Sequence, residues 1–166
     1  MLAAMVVKKT LTRADEMHFV PEDEDASIEK TMIDPWRILI VDDDEDIHLI
    51  TAIILKACEV LNRSLFFVNA FSGSEAKRLL TDASSKPFDL VLLDVVMEDD
   101  DSGYQVARYL RKNLGNLNTK ILIRTGQPGI QSQTQNLDDV RIDGIYLKTE
   151  LSAARLREVV TQALAT

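Results

Sequence analysis

Five short apolar runs rich in β-branched residues or leucine follow one another after Trp36, separated by stretches of helical periodicity, and this alternation leaves few folds open. Ile38-Leu39-Ile40-Val41 is the first run, Leu65 to Val68 the second, Leu90 to Leu93 the third, Ile121-Leu122-Ile123 the fourth and Ile142 to Leu147 the fifth. Runs that are apolar at successive positions suit strands buried on both faces, as in a parallel sheet covered by helices. Between the first two runs, Ile47, Ile50, Thr51, Ile54 and Cys58 recur at helical spacing. Ser72-Gly73-Ser74-Glu75 has the form of a capping box, with Ala76, Leu79, Leu80 and Ala83 as the stripe behind it. Ser102-Gly103-Tyr104-Gln105 reads as another cap ahead of Val106, Ala107, Leu110 and Leu114. Gln131 to Asp139 has the weakest apolar periodicity, whereas Leu156, Val159, Val160, Ala163 and Leu164 mark a clean closing helix. The pattern predicts an α/β fold: a doubly wound, five-stranded parallel sheet with helices on both faces and right-handed crossovers.

The segment before the first strand is different. Residues 1–35 carry Glu22, Asp23, Glu24, Asp25 and Glu29 with little to bury, and end at Asp34-Pro35, where the proline blocks a helix. They read as an acidic N-terminal arm or linker, with a short ordered piece around Met17-His18-Phe19-Val20, leaving 36–166 as the folded domain. Met1 to Val7 is apolar, but Lys8 and Lys9 follow it, the reverse of the order in a secretory signal. No apolar run approaches the roughly 18 residues of a membrane span. Cys58 is the sole cysteine, so no internal disulfide can form, in keeping with a cytoplasmic protein. A formal charge of −8 argues against a direct nucleic-acid footprint.

Polar residues interrupt the apolar runs at telling places. Asp42 and Asp43 directly follow the first strand, Asp94 the third; Thr125 closes the fourth and Lys148 the fifth. In an open parallel sheet the carboxyl ends of the strands line the ligand crevice, so these side chains are expected on one edge. Clustered carboxylates call for a hard cation, and Mg²⁺ takes one or two carboxylates together with waters and phosphate oxygens. Such a cation, Lys148 and Thr125 would neutralise a phosphoryl group arriving at Asp94.

Taken in order, Ile38 to Asp43, Leu92-Leu93-Asp94-Val95-Val96-Met97, Ile123-Arg124-Thr125-Gly126 and Leu147-Lys148 resemble the signature positions of bacterial response-regulator receiver domains, the CheY-like family. The resemblance covers Trp36 to the C-terminus and implies the flavodoxin-like strand order 2-1-3-4-5. It implies Asp94 as phosphoacceptor; Asp42, Asp43, Asp94 and the Val96 backbone carbonyl as ligands of Mg²⁺ or Mn²⁺; and Thr125 and Lys148 as partners of the phosphoryl oxygens. Gly126 would leave space for the phosphodonor, while Val96 and Gln127 would flank the path of a hydrolytic water. The partners implied are a sensor histidine kinase or phosphotransfer protein and an output domain or protein, with a homodimer face formed by the fourth helix, fifth strand and closing helix. The chain would be a signalling domain rather than an enzyme.

Several positions depart from the family. Glu98 stands where proline is usual and is followed by Asp99, Asp100 and Asp101, in a loop to Gly103 one residue longer than common. Thr149 replaces the proline after the lysine, and the aromatic switch position is Ile145, with Tyr146 one step later. The Val-Val-Met-Glu loop, the run Arg124 to Gly129 and Lys148-Thr149-Glu150-Leu151 resemble a subgroup often fused to cyclic-dinucleotide phosphodiesterase or related outputs. Two other readings compete with the switch. A haloacid-dehalogenase-like phosphatase needs an aspartate two residues after its nucleophile, and Val96 stands there. A pseudo-receiver that only docks has no need of the full Asp, Asp, Thr and Lys set. Read by itself, the Asp42–Asp46 run would be a solvated turn; Asp99 to Asp101 reads as a solvated loop, His48 as a surface or kinase-facing residue, Cys58 as core, and Trp36 as packing at the far end of the first strand from the site.

Overall fold

The computed structural model describes residues 33–99, 101–126 and 140–166. The arm up to residue 32, with the piece expected at Met17–Val20, lies outside the described residues, as do Asp100, Gln127 and the helix expected at Gln131–Asp139 with its share of the expected homodimer face.

Five strands form one sheet: β1 (Trp36–Val41), β2 (Leu65–Ala70), β3 (Leu90–Asp94), β4 (Lys120–Thr125) and β5 (Gly144–Leu147). Their order is β2-β1-β3-β4-β5 and every pairing is parallel, as the alternation predicts. The described helices are α1 (Glu45–Leu55), α2 (Gly73–Thr81), α3 (Ser102–Arg108) and α4 (Ala153–Ala165). A wider π-helical turn continues α3 over Tyr109–Asn113, and a 3₁₀ turn over Lys148–Glu150 joins β5 to α4.

Strand parity separates two cores. Leu39, Val41, Val91, Leu93, Ile121 and Ile123 point to the face covered by α2 and α3, against Ala76, Tyr104, Val106 and Leu110. Ile38, Ile40, Leu90, Leu92 and Leu122 point to the other face, covered by Leu55 of α1 and by Leu156, Val159, Val160 and Leu164 of α4. Burying each such side chain contributes about 1.5–3 kcal/mol, so the three central strands anchor the sheet whose upper edge carries the site. Trp36 starts β1, at the end away from Asp42, and donates its indole N–H to the Val60 carbonyl at 2.8 Å.

Three local readings change. On α1 the buried positions are His48, Thr51 and Leu55, whereas Leu49, Ile50 and Ile53 face outward. This helix is apolar on nearly every side, so periodicity alone cannot fix its phase. Ser102 is the first residue of α3 rather than its cap; its hydroxyl turns back to the Asp99 carbonyl at 3.1 Å, and Asp101 takes the N-cap position. Finally, α2 stops at Thr81, leaving Ala83 exposed beyond its end. The capping box ahead of α2 does form: Ser72 accepts from the Glu75 N–H at 3.1 Å, and Glu75 accepts from the Phe71 N–H at 2.9 Å.

Candidate functional site

The carboxyl ends of β1, β3, β4 and β5 bring the polar residues together. Asp42 follows β1 and is fully buried, and Asp94 ends β3 with 5% exposure. Asp43 is exposed at the rim. Each of these carboxylates presents one oxygen, and the three oxygens lie within 4.8 Å of one another. Lys148, at the end of β5, places its Nζ 2.8 Å from Asp94 Oδ2 and 2.9 Å from Asp42 Oδ2. The other Asp94 oxygen accepts the Val95 N–H at 2.7 Å, which fixes the carboxylate's orientation. Thr125 ends β4, buried to 1%, in register with Leu147 and one step beyond the Asp94–Arg124 pair. Val96 is half-buried two residues beyond Asp94, and among the described residues nothing lies near the place a Cβ on Gly126 would occupy.

The electrostatics follow from this crowding. Burial raises the Asp94 carboxyl above its ordinary value and the nearby Asp42 adds to the effect, against the opposing hydrogen bond and charge of Lys148. Burial would lower the Lys148 ammonium, but its hydrogen bonds and charge contacts with Asp94 and Asp42 raise it on balance. The donor set suits a hard divalent ion: three carboxylate oxygens converge, and one of them, on Asp43, faces outward where waters can complete the shell.

The sequence of residues 38–161 matches the family model described as response regulator receiver domain. This chain belongs to that family. A curated relative, the 3'3'-cGAMP-specific phosphodiesterase 2 of Vibrio cholerae, is 36% identical over 131 residues, 79% of this chain. The alignment covers 25% of that protein, so the chain spans about a quarter of its length. Among solved structures, a signal receiver domain of a two-component histidine kinase from Clostridium thermocellum superposes with a TM-score of 0.65 at 18% identity. That superposition covers 78% of this chain and 98% of the other. The signal receiver domain of an HD domain-containing protein from Pseudomonas fluorescens gives 0.60 at 24%, covering 78% and 94%. These likenesses support the fold. Among the described residues, no helix is long and apolar enough to cross a membrane.

The receiver contains further residues around its site that the sequence pattern left without a role. His48, read as a surface residue, is 4% exposed: its Nε2–H donates to the Asp42 carbonyl at 2.8 Å, and its ring lies 4.4 Å from that of Phe71. The backbone of the acidic turn needs a donor there, and α1 turns His48 inward to supply it. Glu98, in place of the usual proline, accepts the Gly73 N–H at 2.8 Å and so ties the loop after Asp94 to the start of α2. Partial burial would raise the Glu98 carboxyl, but hydrogen bonds from its own N–H, those of Gly73 and Ser74 and the Ser102 hydroxyl hold it low. Arg124, quoted in a motif but given no function, is 4% exposed beside Asp42. A cation inside a strand buried on both faces requires an anion within reach, and that requirement was the available signal. Ile145 packs on the α2–α3 face and Tyr146 on the opposite face, under Arg155 of α4, so no aromatic ring of β5 shares a face with Thr125.

Proposed function

We propose that this receiver accepts a phosphoryl group on Asp94 from a phosphohistidine of a sensor histidine kinase or phosphotransfer protein. The observation that carries the reading is the bridge from Lys148 Nζ to Asp94 Oδ2 and Asp42 Oδ2, at 2.8 and 2.9 Å, inside a converging carboxylate cluster. In the transfer, a carboxylate oxygen of Asp94 forms a bond to phosphorus while the P–N bond to imidazole breaks. The electron pair stays on the imidazole nitrogen, which then takes a proton from solvent. Asp42, Asp43, Asp94 and the Val96 carbonyl would hold Mg²⁺ or Mn²⁺, which when bound supplies charge neutralisation for the phosphoryl oxygens. Lys148 pairs with one phosphoryl oxygen and the Thr125 hydroxyl donates to another, so positioning and charge are this chain's contribution. The open position at Gly126 admits the donor. The chain's chemistry is then limited to gaining and losing its own phosphoryl group, and its output is a changed surface read by a partner in the cytoplasm. Likeness to the receiver portion of a phosphodiesterase points to cyclic-dinucleotide turnover as the controlled process.

Intact-mass measurement with a small phosphodonor and Mg²⁺ is expected to show one added phosphoryl group, absent from Asp94→Asn. Equal labelling of that variant overturns the acceptor assignment. Absence of labelling in the wild type with every donor supports a phosphorylation-independent docking module instead.

A further inference from the structure

We propose that Arg124 takes over Asp42 from Lys148 when the phosphoryl group arrives, freeing the lysine for that group; this rests on Asp94 being the acceptor.

One ammonium holds two carboxylates in this site: Lys148 Nζ lies 2.9 Å from Asp42 Oδ2 and 2.8 Å from Asp94 Oδ2. A phosphoryl group on Asp94 puts new negative charge beyond that carboxylate, and Lys148 has to shift outward to meet it. Asp42 cannot follow, being fully buried; the metal would engage only one of its oxygens, so Oδ2 would lose the charged donor it has here, a costly change for a buried carboxylate.

Arg124 is built to prevent that loss. Its Nη1 donates to Thr51 Oγ1 of α1 at 2.8 Å, which anchors the guanidinium. Its Nη2 stands 3.8 Å from Asp42 Oδ2, and neither Nε nor Nη2 has a hydrogen-bond partner among the described residues. Nε and Nη2 form one edge of the guanidinium, the fork that pairs with a carboxylate through two parallel hydrogen bonds. Charge-assisted bonds of this kind close at about 2.7–2.9 Å, so a movement of about 1 Å completes the contact. While Lys148 occupies Asp42 Oδ2, the second cation is held off; once Lys148 leaves, the same oxygen is open to it. Arg124 is thus a positioning residue, acting on Lys148 through their shared partner.

The test compares Arg124→Met and Arg124→Lys with the wild-type chain, using calorimetry with Mg²⁺ alone and then with beryllofluoride at saturating Mg²⁺ as the phosphoryl mimic. Arg124→Met is expected to bind Mg²⁺ at least as tightly as wild type, because a cation beside Asp42 has gone. Its beryllofluoride affinity should fall by about tenfold to a hundredfold, the usual effect of losing a partner one step removed from the bound group. Arg124→Lys should recover part of that loss. Parallel weakening of both ligands would show a merely structural residue and overturn the proposal, as would an unchanged beryllofluoride affinity. Should Arg124→Met fail to fold, the wild type decides by nitrogen–proton NMR: beryllofluoride should shift the Arg124 Nε–H resonance and slow its exchange, and a stationary signal overturns the hand-over. If the wild type binds Mg²⁺ but no beryllofluoride, the acceptor reading fails, and this proposal with it.

Discussion

Gly103→Ala tests whether the loop after Asp94 is held by backbone contact. The Gly103 N–H donates to the Val95 carbonyl at 2.9 Å, pressing the start of α3 onto the end of β3. A Cβ added here would overlap the Asp94 carbonyl oxygen and lie 2.8 Å from Val95 Cα and 2.9 Å from the Asp94 carbonyl carbon. Ordinary contacts with a Cβ begin near 3.4 Å, and every atom met is backbone rather than a flexible side-chain end. The chain must therefore separate by on the order of 1 Å, and overpacking of this kind costs about 1–3 kcal/mol. A rigid strand on one side and a helix start on the other put the cost near the top of that range. For a domain of this size, about 3 kcal/mol lowers Tm by roughly 10 °C. The same displacement moves Asp94 relative to Lys148, and a misplacement of about 1 Å can cost on the order of a hundredfold in transfer rate. Circular dichroism melts and small-donor labelling read the two effects separately, with Gly126→Ala as a control for stability because no described residue lies near its added Cβ. A Gly103→Ala protein that melts within about 2 °C of wild type and labels at the same rate refutes the argument.

Three further outcomes follow from the site and its supports. Asp43→Ala should weaken Mg²⁺ binding by at least about tenfold in calorimetry, since losing a ligand should cost no less than losing a partner behind one; wild-type affinity would count against the metal site. Lys148, raised on balance by Asp94 and Asp42, contributes stability that is whole below about pH 10.4 and is lost as pH climbs through its higher folded value. The gap in urea midpoint between wild type and Lys148→Met should therefore narrow above about pH 10.4, and a constant gap would contradict the ion bridge. Asp143→Ala should cost about 3 kcal/mol without altering Mg²⁺ affinity, because it takes from the buried Arg111 its carboxylate at 3.3 Å, at the opposite end of β4, and leaves it the Arg141 and Asn116 carbonyls; a metal-affinity change matching the loss of stability would show that the ends of the strand are coupled.

Much of this arrangement was legible because parallel strands buried on both faces tolerate few polar residues, so Asp42, Asp94, Thr125 and Lys148 stood out where each run stopped. Sheet order and the edge bearing the site follow from that alternation together with the family resemblance. The unread parts have physical causes. The phase of α1 was hidden by Leu49, Ile50 and Ile53, which are 60%, 51% and 64% exposed and as apolar as its buried residues, so His48 was placed outside. Glu98 meets Gly73, a residue from the far side of β3, and no local pattern announces a carboxylate that caps a helix other than its own.

Arg124 shows where such reading stops. Its neighbours Leu122 and Ile123 are buried on opposite faces of β4, so parity alone puts residue 124 in the interior with Leu122. An interior guanidinium is untenable without an anion, so the chain itself demanded a partner. It could not say which one: β3 lies between β4 and β1, and the side chain reaches past that strand to Asp42 and to Thr51 of α1. The consequence is that Asp42 has two cations within reach, one of them shared with Asp94. Burial holds the Arg124 guanidinium below its ordinary value, against the opposing charges of Asp42 and Asp94. On the proposed hand-over, charge arriving at Asp94 would reach Thr51 of α1 through the Arg124 side chain.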